Sequence, residues 1–285
     1  MTVPHAASVA EPRAGGEAVS VAGVWAGYDG RPALEDVTLQ LPRGALVAIF
    51  GPNGGGKTTL LKLIADLIQP WSGEVSVLGA PAGEQAKRVA YVPQAELVDW
   101  SFPVSVWDVA MMGRYPALGL LRRPAAADRE AVEGALEEVG MADERHSQIG
   151  ALSGGQRRRA FLARAIAASP DLYLLDEPVT GVDVTTQEDL MKLLTSETQR
   201  GRTVIATTHD LAAAAEHFST VVALNHRVIA VGRSELVLDP DVLSRTYGGH
   251  MLVLQDRAVI LDDAHHHDTE SGGERHFHEE GSKRR

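Results

Sequence analysis

The chain has 285 residues, 44% of them hydrophobic, and a formal net charge of −11. That length and composition suffice for one large domain or two small ones with a proper core. The negative charge argues against electrostatically driven nucleic-acid binding, and the lack of cysteine excludes a disulfide framework or a thiolate metal site.

Residues 1–17 are Ala-, Gly- and Pro-rich, with little periodicity and no apolar h-region, and read as a disordered lead rather than a signal peptide. Short strand-like runs follow, VSVAGVW (19–25), ALEDVTLQL (33–41) and ALVAIF (45–50), separated by the turn clusters YDGRP and PRG. KTTLLKLIADLI (57–68) has the helical spacing of Leu and Ile. QPWSG then turns into EVSVLG, and RVAYVPQ (88–94) reads as another strand. From about 95 to 168 the pattern is helical, through VSVWDVAMMGR, AAADREAVEGALEEVG and GGQRRRAFLARAIAAS, broken by Pro and Gly. Strand and helix alternate beyond it, in DLYLLD, TTQEDLMKLLTSETQR, TVIATTH, LAAAAEHF and TVVALN. Such alternation argues for a parallel sheet with crossover helices.

The expected organisation is an α/β domain over 18–250, opened by antiparallel strands and carrying a helical insertion at about 95–168. A C-terminal segment, 251–285, loses its periodicity from Asp262 and becomes His- and acid-rich. No internal repeat is visible. A membrane-spanning helix needs ~20 consecutive apolar residues and no run approaches that length, so a cytosolic protein is expected, reaching a membrane only by docking on another chain.

GPNGGGKT comprises Gly51, Pro52, Asn53, Gly54, Gly55, Gly56, Lys57 and Thr58. It fits G-x-x-x-x-G-K-[ST], directly follows the strand ALVAIF and opens a helix, which is the context this motif requires. Its glycines let backbone N–H groups curl around an anion at a helix N-terminus. Lys57 is expected to reach the β- and γ-phosphates and the Thr58 hydroxyl to hold Mg²⁺. This is read as a nucleotide site. DLYLLDEP (171–178) is an apolar strand ending in two carboxylates, at the sheet edge where ligands bind. Strand side chains alternate in direction, so Asp176 is assigned to Mg²⁺ and Glu177 to the attacking water as general base. LSGGQ (152–156) offers Ser153 and the N–H groups of Gly154 and Gly155 at a second helix start. It is either a further anion receptor or an ordinary N-cap, and spacing alone favours the cap.

Taken together, GPNGGGKTT (51–59), Gln94, LSGGQ, LLDEP (174–178), GVD (181–183) and His209 resemble the nucleotide-binding subunit of ABC transporters, in order and rough spacing across about 19–235. The resemblance implies a P-loop NTPase cassette with a mixed RecA-like sheet, an antiparallel β subdomain and a helical subdomain. It also implies a homodimer, or a paired cassette, arranged head to tail with two ATP molecules at the interface. The phosphate loop, through Thr59, would face Ser153, Gly154, Gly155 and Gln156 of the other copy. Tyr28 is implied to stack on adenine, and Gln94 to touch Mg²⁺ or the attacking water and link the site to the helical insertion. Asp183 would lie at the dimer seam, and His209 would contact the γ-phosphate. The chain departs from common family forms at TGVD and at Gly55, neither of which alters a reacting group.

A single cassette without a long coiled-coil insert suggests a transporter subunit working with separate permease chains. The helices at about 95–140, MMGRY (111–115) among them, are the expected docking surface. MMGRYPALGLLRRP (111–124), DREAVEGALEEVGM (128–141) and RHSQIGALSGGQ (145–156) are especially similar to the manganese/zinc branch of importers. That branch implies import of a divalent metal, membrane permeases, an extracytoplasmic metal-binding protein and a place on the cytoplasmic face of the cell membrane. An importer ATPase for another substrate such as an iron chelate, or a soluble ABC ATPase outside transport, are the alternatives. In the tail, His265, His266, His267, His276 and His278 offer imidazole ligands without a fixed tetrahedral spacing. They form either a loose metal-binding tail or a solvated one.

Overall fold

The computed structural model of the chain describes residues 16–94, 102–118, 122–179, 184–248, 251–254 and 257–260. Strand β1 (Glu17–Tyr28) starts within the stretch read as a disordered lead and pairs antiparallel with β2 (Arg31–Pro42). Their turn places Asp29 at φ 50° and Gly30 at φ 74°, and two left-handed residues match the right-handed twist of a tight hairpin. Along β2, Leu34, Val37, Leu39 and Leu41 are buried while most of their neighbours face outward, as a half-covered sheet requires. β4 (Ser72–Val77) and β5 (Ala80–Pro81) complete this sheet in the order β2-β1-β4-β5.

The second sheet runs β10-β9-β3-β8-β7-β6. It contains β3 (Leu46–Phe50), β6 (Val89–Val92), β7 (Leu172–Leu175), β8 (Thr203–Thr207), β9 (Thr220–Asn225) and β10 (Arg227–Gly232). All neighbours are parallel except β9 and β10. The runs LVAIF and LYLL are buried at every position because both sheet faces are covered. β3, β7 and β8 end at one edge, which brings together the segments that follow them.

Helix α1 (Lys57–Ile64) is shorter than the apolar spacing over 57–68 predicts. Asp66 turns left-handed at φ 57°, and the Leu67 N–H donates back to the Lys62 carbonyl. That is a Schellman-type stop, built here on Asp where Gly is the usual signal. The helical region contains α2 (Val106–Met112), α3 (Tyr115–Leu118), α4 (Ala126–Glu138) and α5 (Gly154–Ala167). Val106, Val132, Leu136 and Ala163 share one hydrophobic core with Phe50 and Tyr173 of the sheet. Chain order then gives α6 (Val184–Gln199), α7 (Leu211–His217), α8 (Ser234–Val237) and α9 (Pro240–Tyr247). A hairpin of β11 (Met251–Leu254) and β12 (Arg257–Ile260) follows. Among the described residues, no helix is long and apolar enough to cross a membrane.

A polar network ties β7 to α6. The buried Glu197 carboxylate accepts the Tyr173 hydroxyl and pairs with Arg200 and, at 3.3 Å, with Arg202. Burial raises the Tyr173 pKa and keeps the phenol a neutral donor. Arg200 also reaches Glu138 on α4 at 3.2 Å, so the network spans the seam between the helical region and the sheet domain. Glu197→Ala leaves the buried Tyr173 hydroxyl without its acceptor and is expected to lower unfolding stability by about 2 kcal/mol, read from urea denaturation.

Candidate functional site

The phosphate loop is held by close backbone approach. A side chain at Gly51 would place its Cβ 1.8 Å from the Leu224 carbonyl oxygen on β9. Gly56 combines φ 93° with a Cβ position 2.6 Å from the Ala33 carbonyl oxygen. Any larger residue at either position must push backbone aside. Lys57, next in sequence, is buried and its Nζ donates to the Gly51 and Pro52 carbonyls at 2.9 Å each. Burial lowers its pKa, while the charges of Glu177 and Asp176 oppose that shift. The ammonium group therefore sits within the field of both strand-end carboxylates. Thr58 and Thr59 follow on the first turn of α1, and Asn53 and Gly54 form the exposed crest of the loop.

Asp176 and Glu177 lie just past β7, which ends at Leu175, so the left-handed backbone of Glu177 sets their directions where strand alternation was expected to. The Thr207 hydroxyl, at the end of β8, accepts the Glu177 N–H at 2.8 Å and donates to Asp176 Oδ1 at 2.8 Å. Asp176 Oδ2 is buried without a hydrogen-bond partner among the described residues. A desolvated carboxylate oxygen with no donor is costly unless a cation approaches it. Asp176 Oδ2 is thus suited to a hard divalent ion. Glu177 adopts φ 51°, a strained region for a non-glycine residue. In this pose Oε2 accepts from Gln94 Nε2 at 3.2 Å, and Oε1 meets His209 Nε2. The structure thus brings Gln94, Glu177 and His209 into one cluster, drawn from the ends of β6, β7 and β8.

A family model described as ABC transporter matches residues 34–180. The chain belongs to the ABC transporter family. It is an ATP-binding subunit, and ATP hydrolysis is its activity. The manganese transport system ATP-binding protein MntB of Bacillus subtilis is 44% identical over 87% of this chain and 98% of the relative. The zinc transport system ATP-binding protein TroB of Treponema pallidum is 44% identical over 85% of this chain and 91% of the relative. A chelated iron transport system membrane protein of Yersinia pestis, YfeB, is 43% identical over 82% and 80%. Among solved structures, a metal-chelate type ABC transporter in an inward-facing conformation superposes with TM-score 0.72 at 26% identity, over 85% of this chain and 94% of that one.

In this ABC ATPase the remaining sequence-derived positions are dispersed. Ser153 caps α5 in a reciprocal box, its hydroxyl accepting the Gln156 N–H at 3.3 Å and its own N–H donating to Gln156 Oε1 at 3.0 Å. Ser153 and Gly154 are exposed, Gly155 is half-buried, and none of these residues hydrogen-bonds to the phosphate loop of its own chain. Tyr28 ends β1, 45% exposed, with Lys62 Nζ 5.9 Å from its ring centroid. Asp183 and His265, His266, His267, His276 and His278 lie outside the described residues. Among those described, no group of three His, Asp or Glu is arranged to hold a metal.

Two residues near the cluster were not singled out by the sequence. Thr207 joins both carboxylate positions, and its signal was the TTHD run containing His209. Tyr91, on β6, buries a hydroxyl close to Asp176 without good hydrogen-bond geometry, and burial together with the Asp176 charge raises its pKa. Thr207→Val keeps the shape but removes the bridge. It is expected to lower kcat about tenfold in steady-state ATPase assays, because a buried N–H and one Asp176 oxygen lose their partner.

Behind LSGGQ, an open groove of about 530 Å³ lies between α4, α5 and α6. Val139, Arg159, Leu162, Leu175 and Leu190 are among its lining residues.

Proposed function

We propose that this ATPase powers the import of a divalent metal ion, manganese or zinc, working as a dimer on the cytoplasmic face of a membrane with separate permease chains. The observation that carries the substrate class is the near full-length similarity, at 44% identity, to ATP-binding proteins named for manganese and for zinc transport. An extracytoplasmic metal-binding protein would deliver the ion to the permeases. Exposed Phe102, Met112 and Tyr115 give the helical region an apolar surface on which a permease can dock.

The residues divide the chemistry as follows. The phosphate-loop N–H groups and Lys57 bind the β- and γ-phosphates of ATP, and Tyr28 stacks on adenine. Thr58, Asp176 and Gln94 would hold Mg²⁺, which would supply charge neutralisation at the phosphates when bound. Glu177 takes the proton of the attacking water, Gln94 fixes the carboxylate from one side, and His209 positions the γ-phosphate from the other. Ser153, Gly154, Gly155 and Gln156 of the second copy close over the nucleotide, with Asp183 at the seam. ATP then has higher affinity for the closed dimer than for the open one, and that difference drives the permeases.

The test is metal accumulation in cells lacking this chain, with manganese, zinc and iron supplied separately. Loss of manganese or zinc uptake, restored by the wild-type chain alone, supports the reading. Loss confined to chelated iron favours the second reading, which the similarity to the Yersinia pestis chelated-iron protein and to a metal-chelate transporter supports. Unchanged uptake of all three, with no permease co-purifying, points to a role outside transport.

A further inference from the structure

Three segments distant in sequence meet behind the phosphate loop, at the turn between β9 and β10. His226 occupies that turn with φ 55°, a left-handed conformation that His tolerates better than most residues. Its N–H donates to the Gly55 carbonyl of the phosphate loop at 2.9 Å, and its carbonyl accepts the Glu35 N–H of β2 at 2.8 Å. Its ring Nδ1 lies 3.2 Å from the Ala33 carbonyl. A carbonyl only accepts, so Nδ1 carries the proton and donates. The neutral tautomer with that proton and the imidazolium both make this bond.

Ala33 occupies a special place in the hairpin. The pairs Ala26↔Leu34 and Gly27↔Pro32 advance one residue on β1 and two on β2, so Ala33 is the extra residue of a β-bulge. Its carbonyl oxygen faces the His226 ring on one side and Gly56 on the other, where a Cβ would come within 2.6 Å of it. The missing side chain at Gly56 leaves room for that carbonyl, and the imidazole gives it a directional partner. The same hairpin ends at Tyr28, paired with Arg31. Arg227, beside His226, strengthens the joint by binding Glu35 Oε2 at 3.0 Å.

We propose that His226 is a positioning residue that fixes the spacing between the adenine platform at Tyr28 and the phosphate loop. The inference rests on the assignment of Tyr28 and the loop to the two ends of ATP. A ligand spanning both ends feels that spacing, whereas one that occupies the loop alone does not. Inorganic triphosphate is the loop-only probe.

His226→Gly removes the ring and relieves the left-handed strain, so the fold and the backbone bonds of the turn are kept. It is expected to raise KM for ATP about threefold to tenfold, the worth of one lost hydrogen bond, with kcat nearly unchanged. Competitive inhibition by inorganic triphosphate should stay at the wild-type level. His226→Asn tolerates the same backbone and places an amide donor where Nδ1 stood, so it should restore KM. An unchanged KM in His226→Gly, failure of His226→Asn to rescue, or equal weakening of triphosphate would each overturn the inference. Tyr28→Ala separates this from the underlying assignment. It should abolish most of the preference for ATP over triphosphate. If it does so while His226→Gly behaves as wild type, Tyr28 stands and the role of His226 falls; if it leaves the preference intact, both fall.

Discussion

Glu177→Gln is expected to retain ATP binding while losing turnover by about 10²–10⁴-fold, the usual worth of a positioned general base. The amide has nearly the shape of the carboxylate, so the side chain still occupies the gap between Gln94 and His209. It cannot take a proton from water. The phosphate loop, including the Lys57 bonds to Gly51 and Pro52, does not depend on that charge for its geometry. With hydrolysis stopped, the γ-phosphate persists and the dimer should stay closed. Nucleotide binding by equilibrium titration, phosphate release and size exclusion with ATP check the separate parts. Normal phosphate release by this variant would remove Glu177 from the role of base.

The second large effect is expected at Ser153, some distance in sequence from the first loop. Ser153→Arg should block ATP-driven dimerisation and hydrolysis while leaving ATP bound to the isolated chain. The exposed start of α5 presents Ser153 and Gly154 outward, so a bulky cation there obstructs an approaching copy without touching its own phosphate loop. The serine also caps α5, and loss of that cap alone costs about 1 kcal/mol. Ser153→Ala measures this cost separately, since it loses the cap and adds no bulk. Dimerisation that survives in Ser153→Arg, seen by analytical ultracentrifugation with ATP and a Glu177→Gln background, would refute the composite site.

The parts of the site read most directly from the sequence are those carried by contiguous residues. The loop 51–58 declares itself by glycine spacing between a strand and a helix, and DLYLLDEP declares a buried strand with an acidic end. Apolar periodicity likewise gave the alternation that fixes the parallel sheet. What stayed hidden depends on partners far apart in the chain. Thr207 matters because β8 lies beside β7, which puts its hydroxyl between Asp176 and Glu177. His226 is an unremarked turn residue until the β9–β10 turn meets Gly55 and Ala33. The early stop of α1 was hidden for a local reason, since Asp66 takes a conformation normally advertised by glycine. Glu197 looked like one more polar residue on a helix, and only the fold shows it buried against Tyr173.

The open groove between α4, α5 and α6 bears on how the helical region responds to load. Interiors packed like organic crystals resist compression, and an unfilled seam is the exception. Along this stretch solvent, and not interlocked side chains, lies between the walls. The exposed Arg200–Glu138 pair crosses this seam as a tether that stretches through water at little cost. Away from this groove the helical region and the sheet share one continuous core, so the gap is local to one stretch of their seam. Small shifts of α4 and α5 relative to α6 would meet less resistance along this groove than across the shared core.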